Sequence, residues 1–365
     1  MYIGDTLIYK MFFGDNEICK GYIGDTEVFG ASGPGPQPAP ENNWVQFYHR
    51  HIGSTKNFTI SLRWNGNYDS VPVALEYCIS ETEPDENTVW TQWTSTGETQ
   101  YTFGSVAAEA SLYVRSGEYA NTRFSYDESN YWRFNFASGT NPLDIYGNLS
   151  ALFDKDVHPD DFAFVEDYAC NHLFANTGST SASRLVDVSN LVLPLDSNSL
   201  GREGTYAYLF YGQSKITAIP NVFRIEQSGF DYGNKVFEGM FQGCNSLTYD
   251  AYPETIYAHN VGQEAFAYMY YTQNSDNTSR TLDINITGYA DLAAFDYMFA
   301  GSAVAFQPTI QLNPDVFIDD VIVFRGMFAN CPNVSYITFI TNGAGSFPSN
   351  SFEDFVPSGV YGYIN

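Results

Sequence analysis

The sequence predicts a mainly β protein with short helices, built from an N-terminal β-strand anchor, an antiparallel β domain and a C-terminal repeat solenoid. Three observations predict this class. A ten-residue unit occurs three times at the start, short alternating apolar runs follow, and an aromatic motif then recurs about every 29 residues. Sequence repeats at a fixed period indicate repeated structural units.

The first thirty residues align as three decamers, each with an aromatic or apolar pair followed by Gly-Asp. The repeated positions are Tyr2, Ile3, Gly4, Asp5, Phe12, Phe13, Gly14, Asp15, Tyr22, Ile23, Gly24 and Asp25. Gly followed by Asp is typical of two-residue hairpin turns of type II′. We therefore expect tight turns separated by strands of about eight residues, such as residues 6–13.

These strands would carry apolar side chains on both faces, and thirty residues are fewer than the ~40 needed to fold alone. Residues 31–42 form a Pro/Gly-rich linker that holds the remainder away. The decamers are therefore predicted to bind sister chains, giving a dimer or trimer, or a groove on another protein. A hairpin packed on the chain's own β domain and a disordered tail are the alternatives.

Residues 43–153 show short alternating runs divided by Gly, Asn, Asp and Pro clusters, which is typical of an antiparallel β domain. Its tryptophans Trp64, Trp90 and Trp93 are interpreted as core and edge residues, with a sugar-binding platform as the alternative.

Residues 154–365 repeat an aromatic residue followed three and four positions later by Leu or Met and by Phe or Tyr. This spacing predicts one helical turn, and each copy precedes a β-like run, so the segment is predicted to be a solenoid of leucine-rich-repeat size with a C-terminal cap. The predicted repeat core is Phe237, Met240, Phe241, Phe266, Met269, Phe295, Met298, Phe299, Phe324, Met327 and Phe328.

The strand side of a solenoid is a continuous surface on which aromatic side chains can contact a glycan or a protein loop. Five tyrosines in or near the predicted strands are therefore candidate ligand-facing residues. They are Tyr249, Tyr252, Tyr257, Tyr289 and Tyr336.

Composition and charge exclude several classes of protein. There are 42 acidic and 16 basic residues, and the net charge of −26 would repel nucleic acid. The five cysteines show neither a disulfide framework nor metal-site spacing and are expected to be free thiols. No apolar run approaches the ~18 residues of a membrane span, and no leader peptide is recognisable, so neither membrane insertion nor a cleaved signal is expected.

The sequence contains no P-loop, GxGxxG, HExxH or GxSxG pattern of the kinds that mark common catalytic sites. His49 with His51, and the acidic residues around His158, are possible metal ligands. An exposed strand edge and a solvated acidic turn are the favoured interpretations. We predict no enzyme, no cofactor and no metal site.

The motifs FEGMFQGCNSLT (237–248) and FRGMFANCPNVS (324–335) resemble the BspA-like leucine-rich repeats of surface proteins from gut Bacteroidales and other host-associated microbes. The resemblance covers about residues 45–365 and implies an extracellular, adhesive protein. The IGDTLIYK-type decamers resemble N-terminal segments of virion proteins from phages that infect those bacteria, including the crAss-like group.

Together the two resemblances imply a phage virion protein such as a head fibre or another capsid- or tail-decorating fibre. Its N-terminus would bind a capsid or tail protein, and its repeats would adhere to a host surface protein or glycan. A BspA-like adhesin on the bacterial cell surface is the alternative to this virion location, and a glycan-degrading enzyme is a third hypothesis.

Overall fold

The computed structural model describes residues 43–50, 57–138, 142–177, 183–220, 222, 231–312, 323–334 and 336–340. Within residues 1–30 and 361–364 it describes only the backbone of the strands. The chain divides into two compact units, Met1–Pro40 and Glu41–Asn365. The predicted linker, residues 31–42, lies outside the described residues, and the division falls within its range.

The first unit contains three antiparallel hairpins, one for each decamer. The paired strands are β1 (Tyr2–Ile3) with β2 (Thr6–Leu7), β3 (Phe12–Phe13) with β4 (Asn16–Glu17), and β5 (Lys20–Ile23) with β6 (Thr26–Gly30). Each Gly-Asp pair lies outside the described residues, but its flanking residues pair with each other, so the predicted hairpin positions are confirmed. Strands β2 and β3 pair in different sheets, and residues 8–11 between them lie outside the described residues, so the single strand expected over residues 6–13 stays a prediction.

The second unit begins with an antiparallel β domain, as predicted. Its strands are β7 (Val45–His49), β8 (Phe58–Asn65), β9 (Ala74–Ser80), β10 (Thr91–Thr94), β11 (Gln100–Val106), β12 (Ser111–Ser116), β13 (Tyr131–Ser138) and β14 (Leu143–Asn148). One sheet has the order β10-β9-β12-β7-β14 and the other β11-β8-β13. The two sheets face each other across rings such as Phe47 and Phe134, whose centroids are 5.1 Å apart.

The sheet of the β domain continues beyond the boundary predicted at residue 153. Strand β15 (Leu185–Val192) pairs in parallel with β14 and becomes the last strand of the first sheet. Phe174 also stacks on Phe134, with ring centroids 5.5 Å apart. Residues 43–153 and the repeats therefore share one core, because the repeats cover an edge that β14 would otherwise leave open.

The remaining chain forms a β-solenoid-like stretch. Its elements are α1 (Ser197–Gly201), β16 (Asp231–Tyr232), β17 (Thr255–Ala258), β18 (Asn260–Val261), β19 (Ser279–Ile286), β20 (Ala305–Leu312), β21 (Tyr336–Ile340) and β22 (Tyr361–Ile364). Short 3-10 helices lie at Leu149–Leu152, Pro159–Asp161 and Tyr249–Ala251. Strands β17, β19, β20, β21 and β22 form a parallel sheet in that order, and β16 pairs in parallel with β18.

The aromatic motifs lie in turn segments at residues 167–174, 203–212, 234–243, 263–270, 292–301 and 325–330, and the predicted helical turns are wrong. Backbone φ is positive about every fourth residue, as at Lys235, Gly239 and Gly243. Backbone N–H groups alternate between two partners: Phe237 donates to Ala265 in the next segment, whereas Glu238 donates back to Lys235. The residues with positive φ prevent the backbone from continuing as a helix beyond three residues. Every second N–H group therefore bonds a carbonyl group of the neighbouring turn segment instead of one in its own segment.

The predicted repeat-core residues are all fully buried, which confirms that each motif points into the core. The aromatic rings of these motifs form two stacked columns along the β-solenoid-like stretch, with neighbouring ring centroids 5.2 to 5.8 Å apart. One column contains Tyr206, Phe237, Phe266, Phe295 and Phe324, and the other contains Phe174, Phe210, Phe241, Tyr270, Phe299 and Phe328.

Candidate functional site

The outward face of the parallel sheet, formed by β17, β19, β20 and β21, is the first candidate site, and we call it the strand face. Side chains alternate along each strand, so Ile256, Ile284 and Ile310 enter the core while their neighbours point outward. The outward residues form rows across the sheet, including Thr255, Asp283, Thr309 and Thr338 in one row and Tyr257, Asn285, Gln311 and Ile340 in another.

The chemistry of the strand face is polar and nearly uncharged. Hydroxyl and amide side chains dominate, and Gln307 donates a hydrogen bond of 3.0 Å to Ser279 across two strands. Two predicted ligand-facing residues lie here: Tyr257 is half-buried on β17, and Tyr336 is 41% exposed on β21. This face can present hydroxyl and amide groups together with aromatic rings to a ligand.

Tyr249 lies beside the strand face in a 3-10 helix, although a strand or its neighbourhood was predicted. The Arg280 guanidinium carbon is 5.9 Å from the Tyr249 ring centroid. Arg280 donates two hydrogen bonds to the Tyr252 carbonyl, of 3.1 and 2.7 Å, and lies 3.0 Å from Glu254. Tyr249 is 39% exposed, so it remains a candidate contact residue.

Tyr252 is buried, and its prediction as a ligand-facing residue is wrong. Its hydroxyl hydrogen-bonds Thr272 at 2.8 Å and accepts a bond of 2.8 Å from Asn274. Only 1% of the residue is exposed, and burial raises the pKa of its phenol to about 12. The amphipathic ring fills the core because a polar pair is available inside.

Tyr289 is 44% exposed but lies after β19, away from the outward rows. Its backbone N–H donates to the Asn260 side chain at 3.0 Å, and its carbonyl accepts the N–H of Val261. Tyr289 therefore belongs to a loop that is fixed by the preceding coil.

The three tryptophans of the β domain do not form one platform. Trp93 is buried and stacks on Tyr101 with ring centroids 4.6 Å apart. Trp90 packs with a separate cluster, and the Arg115 guanidinium carbon lies 3.9 Å from its ring centroid. Trp64 is half-buried against Trp132 and lines a cavity of about 280 Å³ that sequence reasoning did not find.

An ionic cluster centred on Lys235 was also missed. Its ammonium group lies 2.5 Å from Glu128, 3.3 Å from Glu264 and 3.7 Å from Glu238. Burial raises the pKa of Glu238 to about 7, against the opposing effects of the Tyr208 hydrogen bond and Lys235. The four charged residues come from a β-domain loop and two successive turn segments, so a local sequence pattern could not bring them together.

The residues considered as metal ligands have other contacts. His158 caps a 3-10 helix by accepting the Asp160 N–H at 3.3 Å, and His49 packs edge-on against Phe58. His51 lies outside the described residues. Where residues are described, no group of three or more His, Cys, Asp or Glu side chains is arranged to hold a metal ion.

The remaining predicted site residues belong to the decamers. Tyr2, Ile3, Phe12, Phe13, Tyr22 and Ile23 lie in the paired strands, and their side chains are outside the described part of the structure. The cysteines of the described part, Cys78, Cys170, Cys244 and Cys331, are buried and free.

The fold defines a mainly β protein in which antiparallel sheets continue into a β-solenoid-like stretch. Comparisons with protein-family models, curated proteins and solved structures found no significant match. None of the helices in the described residues is long and apolar enough to cross a membrane.

Proposed function

We propose that this chain is a non-enzymatic structural protein of a phage virion, a head fibre or another fibre that decorates the capsid or tail. Residues 1–30 attach it to a capsid or tail protein and assemble it into a dimer or trimer. The leucine-rich-repeat body, with its BspA-like motifs, faces outward at the virion surface and adheres to a host surface protein or glycan.

The observation that carries this proposal is the folding of the decamers into separate two-stranded sheets within a unit of their own. An isolated two-stranded hairpin is marginally stable in water. The edges of such hairpins can pair with strands supplied by another chain, which gives an attachment by strand addition.

The strand face supports the adhesive half of the proposal. Its hydroxyl and amide side chains, with Tyr257 and Tyr336, resemble the chemistry of protein surfaces that bind through adaptable hydrogen bonds and rigid aromatic rings. A BspA-like adhesin of a bacterial cell surface would use the same face, so the attachment of the N-terminus distinguishes the two functions.

Light scattering of the full-length protein tests the assembling role of residues 1–30. We expect a dimer or trimer for the full chain, and a monomer both for residues 43–365 and for a full-length variant with Tyr2, Phe12 and Tyr22 changed to Ser. A variant lacking only residues 31–42 is the matched control and should stay multimeric. Equal numbers of chains in all four proteins would contradict the proposal.

A reconstruction of the intact particle tests attachment itself. Residues 1–30 should lie against the capsid or tail, with residues 43–365 extending outward. Capsid and portal genes beside this gene would support the same conclusion. A chain found on bacterial cell envelopes and missing from particles would favour the adhesin.

A further inference from the structure

The cavity beside Trp64 lies in the β domain, between the turn that follows β8 and the turn that joins β10 to β11. Its wall contains Trp64 from the end of β8, Tyr68 and Asp69 from the first turn, and Ser95, Gly97 and Thr99 from the second turn. The volume of about 280 Å³ is just below the ~300 Å³ at which pockets for drug-sized ligands begin, so the cavity suits one small ring.

The two turns are bonded to each other, so the cavity is formed before any ligand enters. The backbone N–H of Trp64 donates to the Thr99 carbonyl at 2.8 Å. Val73 donates its N–H to the Ser95 hydroxyl oxygen, and Ser95 donates its N–H to the Val73 carbonyl, both at 2.9 Å. A preformed cavity loses little conformational entropy on binding.

The Glu98 carboxylate stabilises the second turn through hydrogen bonds. It accepts hydrogen bonds from the Trp93 indole at 2.9 Å and from the Thr96 N–H and hydroxyl at 2.7 and 2.9 Å. Hydrogen bonds from backbone N–H groups, with a smaller contribution from Trp93, lower the pKa of Glu98 to about 2. The turn therefore keeps its shape throughout the neutral pH range.

Trp64 supplies a fixed aromatic surface in the cavity. Its indole N–H donates to the Tyr68 carbonyl at 3.0 Å, and its ring packs edge-on against Trp132 and Tyr126. Tyr68 is mostly exposed at the same wall. An aromatic ring beside hydroxyl and carboxylate groups suits a ligand with one apolar face and a rim of hydroxyl groups.

We propose that this cavity binds a single neutral pyranose ring, as a free sugar or as one unit of a glycan. The C–H face of the sugar lies on Trp64, and its hydroxyl groups bond Asp69, Ser70, Ser95 and Thr99. The Asp69 carboxylate and the chain's net charge of −26 disfavour acidic sugars. The site is separate from the strand face and does not depend on the attachment role of residues 1–30.

Saturation-transfer NMR with the full-length protein tests the site, using methyl glucoside, methyl galactoside, methyl mannoside and methyl glucuronide as probes. We expect at least one neutral glycoside to bind with a Kd of about 1 mM, the range for a ligand of this size, and the glucuronide not to bind. Failure of all three neutral probes, or equal binding of the glucuronide, would overturn the proposal.

Two variants place the binding in the cavity. Thr99→Tyr fills the cavity while keeping the Thr99 backbone bond, and it should weaken binding at least about tenfold. Thr102→Tyr is the matched control, since Thr102 is exposed on β11 outside the cavity, and it should bind as the wild type does. Unchanged affinity in Thr99→Tyr would refute the cavity as the site.

One further variant separates this proposal from the proposed function. The deletion of residues 1–30 should leave glycoside binding unchanged, because the cavity lies within the second unit. Loss of binding in this variant would contradict a site at Trp64, whereas monomeric full-length protein that still binds sugar would refute only the assembling role of residues 1–30.

Discussion

Residues with positive φ determine how neighbouring turn segments stack. Tyr168, Tyr208 and Tyr297 each occupy such a position, and each ring lies on a glycine of the next segment, at Gly204, Gly239 and Gly326 respectively. A Cβ on Gly239 would lie 2.4 Å from a ring carbon of Tyr208. Glycine is therefore required both for its backbone conformation and for the space that the ring occupies.

Replacing Gly239 by Ala should destabilise the protein by about 2–4 kcal/mol, because the left-handed conformation and the clash each cost about 1–2 kcal/mol. Urea unfolding of the full chain measures the loss.

Gly243→Ala is the matched control for this substitution. Its φ is +78°, and the nearest atom to an added Cβ is 3.4 Å away, so only the backbone cost of about 1–2 kcal/mol applies. Adding Tyr208→Ala to Gly239→Ala should remove the clash between the two sites. Equal losses for Gly239→Ala and Gly243→Ala would show that the ring contact is unimportant.

Glu238 should make stability depend on pH. Its pKa is about 7 in the folded protein and 4.5 in the unfolded chain, so the folded state holds the proton more tightly. Its contribution is fully present below pH 4.5 and is lost as pH rises through 7. Glu238→Gln cannot ionise, and its Tm relative to wild type should therefore be higher at pH 8 than at pH 5.

Tyr208→Phe tests the cause of this dependence. The Tyr208 hydroxyl donates to Glu238 at 2.5 Å and favours the ionised carboxylate. Removing it should raise the pKa further and enlarge the loss of Tm between pH 5 and pH 8. A Tm difference for Glu238→Gln that stays constant across this range would contradict the assignment.

The turn segments show how much an element can be predicted from its sequence. The i, i+3, i+4 spacing correctly predicted that Phe237, Met240 and Phe241 share a buried side, since a turn repeating every four residues returns side chains to one side as a helix does. The helix itself was wrong, because every second N–H bonds a coil about 29 residues away. Only the recurring glycines, such as Gly239 and Gly243, carried a local signal.

Two leucines provide a matched test of the solenoid core. Leu282 on β19 is fully buried, whereas Leu292 in a turn segment is 43% exposed. We expect Leu282→Ala to lower the free energy of unfolding by about 2–5 kcal/mol through the cavity it leaves. Leu292→Ala should change it by no more than about 0.5 kcal/mol.

Denaturant titration of both leucine variants provides the comparison. Similar losses at the two positions would contradict the burial of Leu282 in the core and the exposure of Leu292 at the surface.

The second unit is held together by a core that runs from the β domain into the repeats. The parallel pairing of β14 with β15 and the Phe134–Phe174 stack both cross residue 153. Lys235 adds an ionic contact at 2.5 Å between the third turn segment, residues 234–243, and Glu128 of the β domain. The repeats therefore contribute to the stability of the β domain.

A fragment of residues 43–153 should not unfold cooperatively, because it exposes the edge of β14 and lacks Phe174 from its core. Residues 43–222 retain β15 and two turn segments and should show a cooperative thermal transition by circular dichroism. A fragment of residues 43–153 that melts as sharply as residues 43–365 would restore the domain boundary at 153.

Sequence alone determined the mainly β class, the hairpin positions of the decamers, the antiparallel character of the β domain and the burial of the repeat motif. All of these depend on patterns within about thirty residues. Tertiary structure decided that the motifs form turns, that Tyr252 is buried and that the β domain and repeats share a sheet. It alone assembled the cavity beside Trp64 and the charges around Lys235, because hydrogen bonds and contacts between residues distant in sequence leave no local pattern.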